Sequence, residues 1–567
     1  MYILGINSYF HDASVTLLKD GQIVAAIEEE RWYRDDKHTT VFPNRSIKYV
    51  LEAANDPNLR IEHVGVNMAP MRCFADAASP SALLRAPLRL NRRNQKNFKH
   101  VRKATDEIRR KTKRLLRAQG FPNEFTFHEV PHHDAHAAST FFVSPFDEAA
   151  ILTVDGNGEW ATTTASLGRG ASLERLFTIG LPHTVGGVYA SVTEYLGFKR
   201  NNDEFKVMGL ASYGDPARFR ESMAKLIYPT EDGGYLVATE FFEIKPWHFR
   251  AGPRFAELFG GPWREPESEL EQRHMDVAAA LQERTEEIGL HMARHLQQET
   301  GLKHLCLAGG VALNCVMNTR ILEETDFDEI YVQPASYDAG GSLGAAYYIH
   351  HQVLERPRAF VMNRANFGPE FSDEQIERIL EEGLLRYRKS ADVAQDTAKL
   401  LAEGKIVGWF QGRAEFGPRA LGHRSILAAP TRPDMQDHVN LRVKHREDFR
   451  PFAPSATEED YQTYFDSPAT DPFMTKVIRV RPEFRERLPA ITHVDGTARL
   501  QTVRQETNPL YHRMIKEFAQ LRELPIVLNT SFNVRGEPMV LTPMDALRCF
   551  FTTGIDHLAI GSFIVDK

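Results

Sequence analysis

The chain alternates short apolar and polar segments from its first residues. An apolar run at Tyr2–Asn7 predicts a strand, followed by a polar loop with His11 and Asp12. A second strand at residues 13–18, an Asp20-Gly21 turn and a third strand at 23–27 complete a β-meander. A similar pattern returns further on, with a strand at 150–154, a loop Asp155-Gly156-Asn157-Gly158, a strand at 162–167 and a turn Gly168-Arg169-Gly170. The repeat predicts a structural duplication. Val277, Ala280, Leu281, Ile288, Met292 and Leu296 recur at helical spacing and predict a long amphipathic helix over 275–296. It leads to a buried-type strand at 305–308 that runs into Gly309-Gly310-Val311-Ala312-Leu313-Asn314. Periodicity is then lost between His350 and Pro369, so a domain boundary is expected near residue 355, giving domains 1–355 and 356–567. The second domain opens with helices at 375–385 and 393–403 and a strand at 406–410.

A length of 567 residues fits this division, since one ordinary domain rarely grows so large. The hydrophobic share of 42% beside 26% charged residues excludes a disordered chain, and no apolar window is long enough to span a bilayer. The N-terminus lacks a basic leader, so a cytoplasmic protein without membrane association is expected. Cys73, Cys306, Cys315 and Cys549 are scattered and form no CxxC pair, which predicts free thiols. A net charge of −7 argues against a broad nucleic-acid surface.

Chemistry concentrates in three places. His132 and His136 stand four apart and would share one helix face, which is half a metal site; in isolation the pair could equally be capping or core histidines. Asp155 and Asp338 each stand where a strand or loop meets glycines, and together with the histidines would suit divalent iron, manganese or zinc. The second place is the run of Lys and Arg from Arg85 to Arg117, either an anion- or acceptor-binding insertion or the solvated face of a helix. The third lies in the second domain. Arg413, Arg419 and Arg424, then Arg442, Lys444, Arg446 and Arg450, sit among Phe416, Pro418, Phe449, Pro451 and Phe452. Guanidinium forks enclosed by aromatic residues suit a multiply anionic small ligand. Arg499 and Arg504 follow, and a strand ending in Asn529-Thr530-Ser531 can add amides and hydroxyls.

The paired meanders and the Gly-Gly strand resemble the superfamily of actin, sugar kinases and heat-shock ATPases. More specifically, the following stretches occur in the order found in the NodU and CmcH family of O-carbamoyltransferases: His11-Asp12-Ala13-Ser14, Glu28-Glu29-Glu30-Arg31, Lys37-His38, His132-His133-Asp134-Ala135-His136, Val154-Asp155-Gly156, Lys206-Val207-Met208-Gly209, Gly309-Gly310-Val311-Ala312, Asp338-Ala339-Gly340-Gly341, Gly417-Pro418-Arg419-Ala420, Phe449-Arg450-Pro451-Phe452 and Asn529-Thr530-Ser531-Phe532. The chain resembles that family over essentially its whole length; His423 stands where the family pattern often has Asn.

The resemblance implies an α/β protein with a duplicated, TsaD-like N-terminal domain of the actin and sugar-kinase type and a YrdC-like C-terminal domain. It further implies that the second domain makes carbamoyl adenylate from carbamoyl phosphate and Mg²⁺-ATP. The first would then pass the carbamoyl group to a hydroxyl of a small molecule, expected to belong to natural-product or antibiotic biosynthesis. Carried over to this chain, His132, His136, Asp155 and Asp338 are the expected ligands of a divalent metal, iron first and manganese or zinc as alternatives. His11, with Asp12, is the expected base or orienter of the hydroxyl. Gly309, Gly310 and Asn314 are expected nucleotide contacts, and Arg419, Lys444, Arg450, Arg499 and Ser531 the carbamoyl phosphate and ATP-phosphate pocket. A threonylcarbamoyl transferase acting on tRNA shares both folds and is the alternative. The acceptor is not specified by the sequence, and monomer and homodimer both stay open.

Overall fold

The structure, a computed structural model, describes residues 1–35, 37–70, 90–245 and 248–567, the side chains of 90–97, 245 and 248 excepted. Cys73 and Arg85 lie outside the described residues, as do the side chains of Arg92, Arg93 and Lys96. Two compact units result: Met1–Glu29 with His38–Met362, and Glu30–Lys37 with Asn363–Lys567. The second unit thus includes an eight-residue segment remote in sequence. Arg31 Nη2 donates to Gly417 O at 2.5 Å, and Arg34 donates to Met539 O and Glu537 Oε2, both at 2.9 Å.

The duplication is a property of the first unit's topology. Its first five strands are β1 (Tyr2–Asn7), β2 (Ser14–Lys19), β3 (Gln22–Glu28), β4 (Ile61–Val66) and β5 (Thr126–Glu129), with helix α1 (Leu90–Ala118) before β5 and α2 (His132–Phe141) after it. They form a sheet of order β3-β2-β1-β4-β5. Next come β6 (Glu148–Gly158), β7 (Ala161–Arg169), β8 (Ser172–Gly180), α3 (Gln272–Thr300), β9 (His304–Ala308), α4 (Cys315–Glu324), β10 (Glu329–Val332) and α5 (Gly340–Tyr347). These strands build a second sheet of order β8-β7-β6-β9-β10, the same arrangement again. In each sheet the first strand pairs antiparallel with the next and parallel with the fourth. This is the duplicated α/β fold of the actin and sugar-kinase type.

Helix α2 therefore follows the last strand of the first sheet, and α5 the last strand of the second. These equivalent helices pack on one another; α2 also lies on β6 and β9, and α5 on β1 and β2. Ser14 Oγ donates to Ala339 O at 2.7 Å and fixes the start of α5 over β2. The α2–α5 contact is backbone-close, since a Cβ at Gly344 would come 1.8 Å from Ala135 O.

Helix α1 explains the basic run between the meanders. Val101, Ile108 and Leu116 are fully buried, with Ala104, Thr105, Thr112 and Leu115 beside them, while Lys99, Arg102, Lys103, Arg109, Arg110, Arg114 and Arg117 are exposed. Over its described side chains the run is the solvated face of an amphipathic helix. No helix among the described residues is long and apolar enough to cross a membrane.

The second unit holds an eight-stranded sheet of β11 (Tyr387–Lys389), β12 (Val407–Phe410), β13 (Arg424–Ala428), β14 (Ala453–Thr457), β15 (Gln501–Val503), β16 (Ile526–Ser531), β17 (His557–Ile560) and β18 (Phe563–Asp566). Its order is β11-β18-β17-β12-β13-β16-β14-β15. Trp409, Leu427, Val527, Leu528, Tyr511 and Phe518 belong to the buried cluster that joins it to the helix Pro509–Arg522. The ladder pairs Ser425 with Ser531, so the β12–β13 loop and the end of β16 share one edge.

The packing gives a stability prediction. Gly344→Ala leaves the methyl no room against the α2 backbone and should destabilise the first unit by about 1–3 kcal/mol. Thermal unfolding checks this, and an unchanged melting temperature would contradict the close contact.

Candidate active sites

Four sequence-predicted residues converge in the first unit. His132 and His136 project from the first turns of α2, Asp338 precedes α5, and Asp155 stands where the β6–β7 ladder breaks between Val154 and Gly158. All four are buried, with donor atoms within 4.8 Å of one another. His136 Nε2 lies 3.0 Å from His132 Nε2 and 3.6 Å from Asp155 Oδ2. His132 Nε2 is 3.1 Å from Asp155 Oδ2, and both imidazoles are 3.5 Å from Asp338 Oδ1. Two ligands bound to one ion at about 2.0–2.2 Å stand roughly 2.8–3.6 Å apart, so the separations fit a shared cation. The polar balance points the same way. Asp338 Oδ1 is buried and accepts no hydrogen bond among the described residues. Burial alone would lower the pKa of His136, yet the adjoining carboxylates of Asp155 and Asp338 hold it up to about 9. That negative field favours a divalent cation, and two imidazoles with two carboxylates suit iron, manganese or zinc.

The sequence between these ligands is accounted for locally. His133, kept neutral by burial and by its charged neighbours, bonds Thr153 Oγ1 through Nδ1 at 2.7 Å. Gly309 adopts φ +91° and passes against Val154, where a Cβ would meet the carbonyl at 2.2 Å; the amide of Gly310 donates to Asp155 Oδ1 at 3.0 Å. The Gly-Gly pair thus orients Asp155, whatever else it contacts. Asn314 caps α4 by accepting from Met317 N at 3.1 Å and exchanges two hydrogen bonds with Gln282. The helix begins only after a 3₁₀ turn at Gly310–Leu313.

His11 and Asp12 occupy the β1–β2 turn. Asp12 is buried in the left-handed region at φ +57°, and His11 Nδ1 lies 2.7 Å from its Oδ2. His11 Nε2 is 3.7 Å from Asp338 Oδ2, which joins this turn to the four-residue cluster. Desolvation lowers the pKa of His11, but Asp338 and Asp12 outweigh it and raise it to about 10; a cation sharing the Asp338 charge would bring it back down. His38, quoted above only as part of a family-like stretch, bonds the other oxygen of Asp12.

In the second unit the expected anion pocket resolves into separate parts. Lys444 is buried, and its ammonium donates to Ser531 O, to Asn533 O at 3.1 Å and to Asn533 Oδ1 at 2.8 Å. Ser531 Oγ lies 3.3 Å from Lys444 Nζ. Burial pushes the Lys444 pKa well down, with Arg446, Arg450 and Lys37 adding like-charge repulsion. Arg446 is lowered in the same sense by burial, then by Arg450 and Arg499. Arg499 Nε is buried with no hydrogen-bond acceptor among the described residues. Glu447 is the neighbouring carboxylate, 3.6 Å from Arg450 and 3.7 Å from Arg535.

Other arginines of this region have structural partners. Arg413 donates to Gly368 O at 3.0 Å, and the fully buried Arg424 donates to Gln411 O at 3.0 Å and Pro369 O at 3.1 Å while lying over Phe410. Arg419 rides, half-buried, on the loop they brace, and Glu415 gathers that loop by accepting from the amides of Leu421, His423 and Arg424. His423 pairs through its two ring nitrogens with Gln411 O at 3.2 Å and Asn508 Nδ2 at 3.3 Å, a donor and acceptor pair that an amide side chain also supplies. Sequence reasoning gave no role to Lys37, quoted only within a family-like stretch, or to Asn533; Lys37 is separated by some four hundred positions from the residues it faces.

Residues 2–347 match the carbamoyltransferase N-terminus and residues 398–567 the carbamoyltransferase C-terminus. The chain is 39% identical to nodulation protein NolNO of Sinorhizobium fredii, over 99% of this chain and 80% of that protein. It is 41% identical to the uncharacterized protein sll1178 of Synechocystis, over 100% and 97%. With the 3'-hydroxymethylcephem-O-carbamoyltransferase of Amycolatopsis lactamdurans it shares 28% identity over 78% of this chain and 81% of that enzyme. The protein is an enzyme, a transferase of carbamoyl groups. It belongs to the carbamoyltransferase family, whose members similar to this chain include nodulation proteins and the cephem O-carbamoyltransferase.

His136→Ala removes one nitrogen and leaves two carboxylates facing each other. Bound divalent metal, measured by elemental analysis after anaerobic loading with Fe²⁺, should fall by about tenfold or more, together with the thermal stabilisation that loading confers. Full metal retention would overturn the assignment of these ligands.

Proposed function

We propose that this enzyme is an ATP-dependent O-carbamoyltransferase that uses carbamoyl phosphate and carries the group to a hydroxyl of a small molecule. The observation that carries the reading is the cationic pocket of the second unit. Lys444, Arg446, Arg450 and Arg499 stand within reach of each other's charge, and one buried guanidinium donor has no acceptor among the described residues. Such a concentration of desolvated positive charge is costly unless an anion completes it. Carbamoyl phosphate and the ATP phosphates are anions of that kind, and a carbamoyltransferase has use for both.

The chemistry divides by domain, 356–567 activating and 1–355 transferring, except that the 30–37 segment belongs with the former. In the first stage carbamoyl phosphate loses inorganic phosphate to water, giving carbamate. A carbamate oxygen then attacks the α-phosphorus of ATP and displaces pyrophosphate, so carbamoyl adenylate forms with one equivalent each of phosphate and pyrophosphate. Arg450 and Arg419 offer forks to phosphate oxygens, Lys444 a fixed point charge, Arg499 its uncommitted donor and Ser531 a hydroxyl. In the second stage the acceptor oxygen attacks the carbamoyl carbon and AMP leaves. His132, His136, Asp155 and Asp338 would hold a divalent ion that, when bound, supplies Lewis-acid polarisation of an oxygen of the adenylate. His11, steadied by Asp12, orients the hydroxyl and takes its proton. Gly310, open except toward Asp155, is the proposed backbone contact of the nucleotide, with Gly309 packed on Val154 behind it. Magnesium accompanies ATP. A hydroxyl acceptor is supported by the name of the cephem relative.

Arg450→Lys keeps the charge and loses the fork. It should cost about 1.5–3 kcal/mol in the first stage, roughly a tenfold to hundredfold loss of pyrophosphate formation from ATP and carbamoyl phosphate. Supplying carbamoyl adenylate should restore AMP release to the wild-type rate. A folded variant that stays slow with the adenylate would sink the division of labour, and wild-type enzyme forming no pyrophosphate would sink the ATP-dependent reading.

A further inference from the structure

We propose that His38 is a positioning residue of the transfer site, acting through Asp12 on His11; the inference rests on the reading of His11 as the hydroxyl's partner. Asp12 is 3% exposed and sits between two imidazoles, His11 Nδ1 on Oδ2 and His38 Nδ1 on Oδ1. An ionised carboxylate only accepts hydrogen bonds, so both histidines must donate from Nδ1. In its neutral form each ring is thereby fixed with its lone pair on Nε2. For His11 that atom faces Asp338, and it is the one an acceptor hydroxyl would meet.

The backbone holds this arrangement under strain. Asp12 is at φ +57°, unfavourable for a residue with a Cβ, and His38 at φ +59° is in the same region. Asn7 Nδ2 ties the turn from one side by donating to His11 O at 3.0 Å and Asp12 O at 2.8 Å. From the other side Ala13 N donates to Thr39 O at 2.9 Å and Tyr9 N to Thr40 O at 3.2 Å, which keeps residues 38–40 alongside residues 9–13. The His38 ring meets Tyr337 edge to face with centroids 6.4 Å apart, and Tyr337 OH donates to Glu28 Oε1 at 3.1 Å. His38 is therefore held on its far face by the residue that precedes Asp338. Its ring carries order from the Tyr337-Asp338 side round to Asp12 and back to His11. Without His38, Oδ1 of a buried carboxylate loses its donor, and Asp12 is free to rotate and release His11 Nδ1.

The test compares His38→Ala with His38→Asn, whose amide nitrogen takes the place of Nδ1. Two readouts are used: ¹⁵N NMR of the His11 ring in enzyme loaded with diamagnetic Zn²⁺, where a cation on Asp338 would let the ring be neutral, and AMP release from carbamoyl adenylate with water standing in for the acceptor. Wild type should show a single His11 tautomer with the proton on Nδ1, His38→Ala a mixture, and His38→Asn the wild-type spectrum. AMP release should fall roughly tenfold to hundredfold in kcat for His38→Ala. KM for the adenylate and pyrophosphate formation should stay unchanged, and His38→Asn should recover most of the loss. A His11 ring in His38→Ala identical to wild type, or an Asn variant as impaired as the Ala variant, would overturn the proposal. If wild-type enzyme released no AMP, the reading of the transfer stage would fail, while the tautomer result would still decide the role of His38.

Discussion

The close packing of helices α2 and α5 is the constraint on which the first unit's site depends. The two helices occupy equivalent places in a duplicated topology, and they meet at a backbone contact that leaves no space for a side chain at Gly344. One helix contributes two histidines from its first turns and the other is preceded by Asp338. A cluster built on loops alone would have to pay the ordering entropy of each residue separately. Here two of the four residues share one helix, and the remaining two are tied to backbone already fixed by sheet and helix packing. Asp155 illustrates this: the Gly310 amide holds one carboxylate oxygen and His132 meets the other.

The second unit meets the opposite electrostatic problem with a different scaffold. Its cations would repel one another, and burial of Lys444 and Arg446 adds to that cost. Four oxygens at the end of β16 compensate Lys444 in part, and Phe452 stacks against the Arg446 guanidinium at 4.4 Å. Neither interaction introduces a negative charge that would compete with a ligand. Glu447 supplies the neighbouring carboxylate, beside Arg450 and Arg535. An anion entering this region would therefore meet Lys444 and Arg446 held by neutral partners, the condition under which charge-assisted hydrogen bonds count most.

Much of the scaffold was legible because it depends on local pattern. The two meanders, the Gly-Gly strand and the long helix, observed as Gln272–Thr300, follow from period-two and period-3.6 spacing. The four clustered residues could also be named, since helix spacing brings His132 and His136 together and chain punctuation marks the two aspartates. What pattern could not supply was tertiary in origin. Arg413, Arg419 and Arg424 look alike in sequence, yet Arg413 and Arg424 serve as braces for loop carbonyls. Asn314 has the look of a ligand contact, but its side chain is taken up by a helix cap and by Gln282. Lys37 joins the cationic group from the far end of the chain, and no local spacing rule reaches across that separation.

The duplication also explains how one fold accommodates several distinct roles. Equivalent first turns, β1–β2 and β6–β7, have diverged: one presents His11 and Asp12, the other Asp155. The equivalent helices have diverged as well, since α2 carries His132 and His136 within its first turns and α5 has Asp338 just before it begins. Because the symmetry of the backbone brings these four places close together, each half could change its side chains without altering the packing that aims them. Asp338 is where the two sets meet: Oδ1 faces the imidazoles of α2 and Oδ2 faces His11. A carboxylate shared in this way fixes the β1–β2 turn relative to the four-residue cluster through a single rigid side chain, so the two need no separate alignment.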